Sequence, residues 1–168
     1  MCKIEFSPIL ECEISTLGVL RQQAWSATYR GIYPDDMIDQ FDFKWHEARD
    51  LQRFQSPNFY HWLIKENDKN IGYLTIRTAD FVYLYSLYLL PIAQKHGYGQ
   101  KAMTFTARFC EEYGRPIFRC HCQPDNTNAM GFYRRMGGHI VEEDFDNIEK
   151  WQNTAVFEFS VCDFLPKH

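Results

Sequence analysis

The stretch from Phe81 to Gln100 constrains this chain more than any other. An apolar, aromatic-rich run from Phe81 to Leu90 is closed by Pro91, and Gln94-Lys95-His96-Gly97-Tyr98-Gly99-Gln100 then opens a pattern of helical period reaching Tyr113. A short run of that composition, ended by proline, reads as a strand. A strand that passes through a glycine turn into a helix commits the chain to layers, because the helix buries its apolar face by folding back on the sheet. At such a turn several unpaired backbone N–H groups converge at the positive end of a helix dipole, which favours an anion. Glycines at 97 and 99 let a ligand approach the main chain, and Lys95 and His96 add charge at the rim. The plainer alternative is a glycine-rich helix start without a ligand. The spacing is not G-x-G-x-x-G and no G-K-[ST] follows, so neither a dinucleotide fold nor a P-loop is indicated. The turn is expected to hold the phosphates of a nucleotide-like cofactor.

The rest of the chain fits around this unit. Ile4-Glu5-Phe6 is strand-like, and Leu17, Leu20, Ala24 and Ala27 recur near the helical period between Ser15 and Arg30, closing near Gly31. Pro34 suits a first helical turn, and Met37, Ile38 and Phe41 imply a short second helix, with Trp45 to Phe54 as its extension. Phe59–Lys65, Ile71–Thr78 and Phe81–Leu90 read as three strands of an antiparallel meander, turning at Asn67–Asn70 and Ala79-Asp80. A helix from Gly97 to Tyr113, a strand from Pro116 to Cys122, a helix from Asn126 to Met136, and strands at His139–Phe145 and Thr154–Cys162 complete the order βααβββαβαββ. The fold class is mixed α/β, a mixed sheet with helices on its faces.

With 168 residues, 45% of them hydrophobic, the chain fits one domain spanning 1–168 without disulfides or metal. The net charge of −4 comes with scattered lysines and arginines, which argues against a nucleic-acid partner. Met1 to Glu5 has no signal-peptide core and no window approaches a membrane span, so a soluble, cytoplasmic protein is expected. Cys2, Cys12, Cys110, Cys120, Cys122 and Cys162 are too dispersed for a disulfide framework and read mostly as small buried apolar side chains.

The pattern Q-x-x-G-x-G, at Gln94, Gly97 and Gly99, after a strand ending Leu87-Tyr88-Leu89-Leu90-Pro91, resembles the acyl-CoA loop of the GNAT superfamily of N-acetyltransferases. Asn126-x-x-Ala129-x-x-Phe132-Tyr133-x-x-Met136-Gly137 is similar to that family's downstream helix. Trp25-x-x-Thr28-Tyr29-Arg30-Gly31-Ile32-Tyr33-Pro34 is similar to the loop after its first helix. The resemblance implies a mostly antiparallel sheet with a V-shaped splay between the strand ending at Leu90 and the strand Pro116–Cys122. It implies acetyl-CoA as cosubstrate, with the amides of Lys95, His96, Gly97, Tyr98, Gly99 and Gln100 on the pyrophosphate and Gln94 in the same loop. Leu87, Tyr88 and Leu89 then run along the pantetheine arm, an amide near Leu89 polarises the thioester, and Asn126 hydrogen-bonds the cofactor.

The same resemblance makes Tyr133 the proton donor to the departing thiolate; its other reading is a helix aromatic packed into the core. Where many relatives carry a basic glutamate, this chain has Tyr83 and, five residues before the asparagine, His121. An imidazole titrates near neutrality, which makes His121 the candidate base, against the alternative of a structural histidine or another base. Alternation along the strand sends His121 to the face opposite Cys120 and Cys122, so no metal is expected there. Trp25, Tyr29 and Tyr33, with Trp45 as a further candidate, are expected to line the acceptor pocket, and Glu142-Glu143-Asp144 either attracts a cationic acceptor or is solvated surface. The expected activity is transfer of an acetyl group to a primary amine, small molecule or peptide, in a ternary complex. An acyl-CoA-binding sensor without turnover is the alternative. The acceptor, other acyl groups and a homodimer are left open.

Overall fold

Asn67 and Asp68 both take left-handed backbone, at φ 47° and 66°, which short polar side chains tolerate and which tight hairpins require. They join β2 (Phe59–Glu66) to β3 (Lys69–Thr78) within a seven-stranded sheet in the order β1-β2-β3-β4-β5-β7-β6. β1 is Ile4–Pro8, β4 is Val82–Leu89, β5 is Ile117–Cys122, β6 is His139–Asp144 and β7 is Thr154–Ser160. All neighbours pair antiparallel except β4 and β5, which run parallel. The computed structural model describes residues 3–166, so Cys2 lies outside the described residues.

The helices are α1 (Ile14–Thr28), α2 (Asp35–Asp39), α3 (Phe43–Phe54), α4 (Tyr98–Glu112) and α5 (Thr127–Arg135). Trp45 to Phe54 is not an extension of the second helix. The chain breaks at Gln40, and Asp42 caps a separate α3 by accepting the Trp45 N–H at 2.9 Å. Of the five described cysteines, Cys110, Cys120 and Cys122 are buried, whereas Cys12 and Cys162 are exposed at the surface. No described helix is long and apolar enough to cross a membrane.

The larger core lies under α4 and α5. Ala102, Met103, Ala107 and Cys110 of α4 pack on Leu74, Ile76, Leu84, Phe118 and Cys120 of the sheet. Burial of side chains of this size stabilises by roughly 1.5–3 kcal/mol for each large one. α1 covers the opposite face, where Leu17 and Leu20 meet Leu63 and Tyr73. A buried ion pair ties these layers together. Arg21 of α1 reaches both carboxylate oxygens of Asp50 on α3, at 2.8 and 3.1 Å, and its Nε donates to the Tyr73 hydroxyl at 3.0 Å. Arg21 is buried as well, so loss of Asp50 would strand its charge.

Candidate active site

β4 and β5 pair at Val82↔Phe118 and Tyr83↔Arg119, and among the described residues the ladder ends there. From Leu84 to Leu89 the strands diverge into the expected V. The cause lies on the other edge of β4, where pairing shifts from Ile76↔Leu84 to Thr75↔Ser86 and leaves Tyr85 as an extra residue. A bulge bends its strand and raises the local twist, which turns the second half of β4 away from its neighbour. The bulge also reverses the alternation. Val82 and Leu84 face the α4 core, and after the bulge it is Leu87 and Leu89 that do so, while Tyr88 turns toward α1.

At the end of β4 the Gln94 side chain donates to the Leu89 carbonyl at 3.0 Å. Gln94 thus ties the loop to the strand. Lys95 and Gly97 both take left-handed backbone, at φ 63° and 77°, and the chain enters α4 at Tyr98. A Cβ at Gly97 would meet no heavy atom within 4 Å, so the space before the first turn of α4 is open. Lys95, His96 and Gln100 are exposed around it. At Gly99 a Cβ would lie 2.9 Å from Cζ of Phe132, so the contact of α4 with α5 itself requires glycine there. The Tyr98 side chain turns inward and its hydroxyl bonds Glu66, leaving only its amide to the loop.

Tyr133 of α5 is buried against Phe157 and Phe159, with ring centroids at 5.6 and 5.9 Å, so the core reading of this residue holds for its ring. Its hydroxyl neighbours Cys120 and Cys122 of β5 and Tyr88 of β4. Burial above all, then these neighbours, pushes its pKa well above the usual tyrosine range, so it stays protonated. Asn126 caps α5 by accepting the Ala129 N–H at 3.2 Å, and its side chain also bonds Tyr29. Gln123 accepts the N–H groups of Asp125 and Asn126 and holds this turn in place.

His121 stands on the other face of β5, and its ring stacks on Tyr83 at 5.6 Å. The structure therefore does not bring His121 and Tyr133 into contact; they flank β5 from opposite sides. Partial burial lowers the His121 pKa, Glu142 opposes that shift and Arg77 adds to it, so the ring is neutral at pH 7. Cys120 and Cys122 point into the core, away from His121. Arg119 binds Glu158 at 2.9 Å and Glu142 at 3.0 Å, which takes one member of the acidic run 142–144 into an ion pair.

Trp25, Tyr29 and Tyr33 form one aromatic wall. Tyr29 stacks on Tyr33 at 4.2 Å, and Trp25 meets Tyr33 edge-on at 5.4 Å. Burial raises the pKa of both tyrosines, with Tyr88 the next cause for each; Tyr29 also lies beside Asn126 and Tyr133, and Tyr33 beside Cys122. The wall thus faces the V. Trp45 does not join it: it is half exposed and lies under the Arg49 guanidinium at 4.8 Å. Trp151, not singled out from the sequence, packs on Tyr33 at 5.8 Å. A lone tryptophan in the polar stretch Asn147–Asn153 was the available signal, since a side chain of that size seeks cover.

A family model described as the acetyltransferase (GNAT) family matches residues 22–138. Compared by sequence with curated proteins, the chain has no match. Among solved structures it is similar to PaiA N-acetyltransferase from Thermoplasma acidophilum in complex with coenzyme A, at 19% identity and TM-score 0.79, covering 94% of this chain and 99% of that one. It is similar to mutant forms of the spermidine/spermine N-acetyltransferase SpeG from Vibrio cholerae, at 10% identity and TM-score 0.67, covering 96% and 95%. It is also similar to RimL, a ribosomal L7/L12 alpha-N-protein acetyltransferase in complex with coenzyme A, at 13% identity and TM-score 0.73, covering 96% and 95%.

Proposed function

The chain belongs to the acetyltransferase (GNAT) family, and on that premise we propose that it transfers an acetyl group from acetyl-CoA directly to the nitrogen of a primary amine bound beside it. The observation that carries this reading is the divergence of β4 from β5 after Tyr83↔Arg119, with an open turn at Gly97 before α4 and the buried Tyr133 hydroxyl beside Tyr88 and Cys122. The residues fit the cosubstrate. The left-handed turn at Gly97, with free space where a Cβ would stand, suits a pyrophosphate against the amides that open α4. The β4 edge from Leu87 to Leu89, free of β5, suits an extended arm bonded as an added strand would be. The thioester supplies the activated acyl group.

The chain's own residues then have separate duties. Tyr133, kept protonated by burial, donates its proton to the departing thiolate. His121, neutral at pH 7 and half exposed, takes the proton of the incoming amine, directly or through water. An amide on β4 near Leu89 donates to the developing oxyanion. Trp25, Tyr29, Tyr33 and Trp151 wall the acceptor space, and their π faces suit an apolar body or a cationic amine. The solved structures of similar fold act, by their names, on spermidine or on a protein amino terminus, which agrees with an amine acceptor here.

The test is release of free CoA thiol from acetyl-CoA across a panel of polyamines, amino-terminal peptides, lysine peptides and aminoglycosides. Turnover that saturates with one acceptor class is the expected outcome. Saturable binding of acetyl-CoA without turnover on any acceptor would favour a sensor, a reading supported by Tyr83 and His121 standing where a glutamate was expected.

A further inference from the structure

On the face of the sheet opposite α4, positive charge outnumbers its partners. Arg21 takes both oxygens of Asp50, so Arg49 and Arg53 of α3 reach that carboxylate only at 3.8 and 4.0 Å. Arg77 of β3 is exposed and, among the described residues, has no carboxylate partner. These cations are neighbours: Arg53 lies 5.5 Å from the ring of Phe59, whose pairing partner across β2 and β3 is Arg77. Two further groups among them are buried without a hydrogen-bond partner among the described residues, Arg49 Nε and His61 Nε2. His61 is 7% exposed and stands near Asp50 and Arg53, with its Nδ1 2.9 Å from Thr75 Oγ1. With the Thr75 hydroxyl donating to Nδ1, Nε2 carries the N–H, and both orphans are donors. A buried donor without an acceptor is costly, and in a chain of net charge −4 three spare guanidinium groups beside two such donors fit an anion.

We propose that the acceptor is a small amine that also bears a carboxylate, a molecule of the amino-acid type, with its acid group among Arg49, Arg53 and Arg77 and its nitrogen toward His121. The inference rests on the acetyl-transfer reading given above and narrows its acceptor. Two contacts join the cations to the site. Arg77 lies over the Tyr83 ring at 5.8 Å, and the same ring stacks on His121 at 5.6 Å, so one small molecule lying across Tyr83 meets both. On the other side, His46 meets Trp25 of the aromatic wall edge-on at 5.6 Å, and its Nδ1 lies 3.1 Å from Nη2 of Arg49. In the transfer the amine nitrogen bonds the acyl carbon as the C–S bond breaks, its proton goes to His121, and Tyr133 protonates the thiolate. The arginines act on binding. They attract the acid group and repel a second positive charge on the acceptor, which sets an amino acid apart from a polyamine.

Thiol release from acetyl-CoA tests this with matched acceptors: a panel of amino acids, the same amino acids with the carboxylate masked as a carboxamide, and spermidine. At least one amino acid should exceed its carboxamide in kcat/KM by about tenfold or more, the size expected of a charge-assisted contact. Arg53→Gln and Arg77→Gln should each raise KM for that acid several-fold while kcat and the KM of the carboxamide stay in place. The double variant should treat acid and carboxamide alike, and Arg53→Lys should keep part of the preference. Thermal melts check the fold, and exposed Arg77 keeps the test decisive where loss of Arg53 lowers stability. Acid and carboxamide turned over alike by the wild type, an acceptor without a carboxylate preferred to every amino acid, or a preference that persists in the double variant would overturn the inference and leave acetyl transfer standing. Binding of acetyl-CoA with no turnover on any amine would overturn the acetyl-transfer reading and this inference with it.

Discussion

The indole N–H of Trp25 donates to the Tyr88 hydroxyl at 3.2 Å, joining α1 to β4 where β4 has left β5. This bond links the wall proposed to meet the acceptor with the strand proposed to carry the cosubstrate. Trp25→Phe keeps the ring and removes the donor. It should cost about 1 kcal/mol of stability and raise the acceptor KM several-fold with CoA affinity unchanged. Chemical denaturation and steady-state kinetics together measure it, and an unchanged acceptor KM would show that the bond only packs α1.

Tyr133→Phe removes the proposed proton donor and nothing of the ring that packs on Phe157 and Phe159. Turnover should fall by about 10²-fold or more, the low end for general acid catalysis, while the fold and CoA affinity persist. Wild-type kcat in the variant would take Tyr133 out of the chemistry and leave it a core residue.

Gly97 and Gly99 should respond differently to alanine. At Gly97 the backbone φ of 77° is strained for any residue with a Cβ, and that Cβ enters the anion cradle, so CoA affinity should drop more than stability. At Gly99 the Cβ would press on Phe132 at 2.9 Å, so the melting temperature should drop, and Phe132→Leu should restore part of it. Identical behaviour of the two variants in melts and CoA titrations would contradict these separate roles.

If His121 is the base, activity requires its neutral form. Because its pKa is held below the ordinary imidazole value, the acid limb of kcat/KM should have its midpoint below about pH 6.5, with activity full above it and lost as pH falls through it. His121→Gln should abolish that limb. Its persistence in the variant would move the base elsewhere.

His61 supplies a pH dependence of stability instead. It is buried on β2, its Nδ1 lies 2.9 Å from Thr75 Oγ1, and burial pushes its pKa down to about 4. In the unfolded chain the ring titrates near 6.5, so the unfolded state binds the proton first as pH falls. Stability is complete above about pH 6.5 and is lost progressively toward pH 4, by an amount on the order of 3 kcal/mol. Buried His46 is shifted the same way, so His61→Leu should make the fall in melting temperature between pH 6.5 and 4 shallower without abolishing it. An unaltered slope would contradict the assignment.

The periodicities and turn residues determined most of the architecture by themselves, because local chemistry dictates them: Asn67-Asp68 make the hairpin, Gly97 takes positive φ, and Asn126 starts α5. The same chemistry at Asp42, a capping residue, marked the start of α3, which the apolar spacing alone merged with α2. Side-chain type at a motif did not reveal side-chain duty. Gly99 answers to Phe132, Tyr98 to Glu66 and Gln94 to the Leu89 carbonyl, and each partner is decided by packing between elements distant from the motif or by the local turn geometry. The bulge at Tyr85 depends on the register of β3 with β4, and it sets both the V and the face that Tyr88 presents. The sequence alone determined that a glycine turn stands between a strand and the head of a helix. Only the tertiary structure decided that Trp25, Tyr29, Tyr33, Tyr88, Tyr133 and Trp151 pack together beside the parting of β4 and β5, since that meeting depends on where two strands stop pairing.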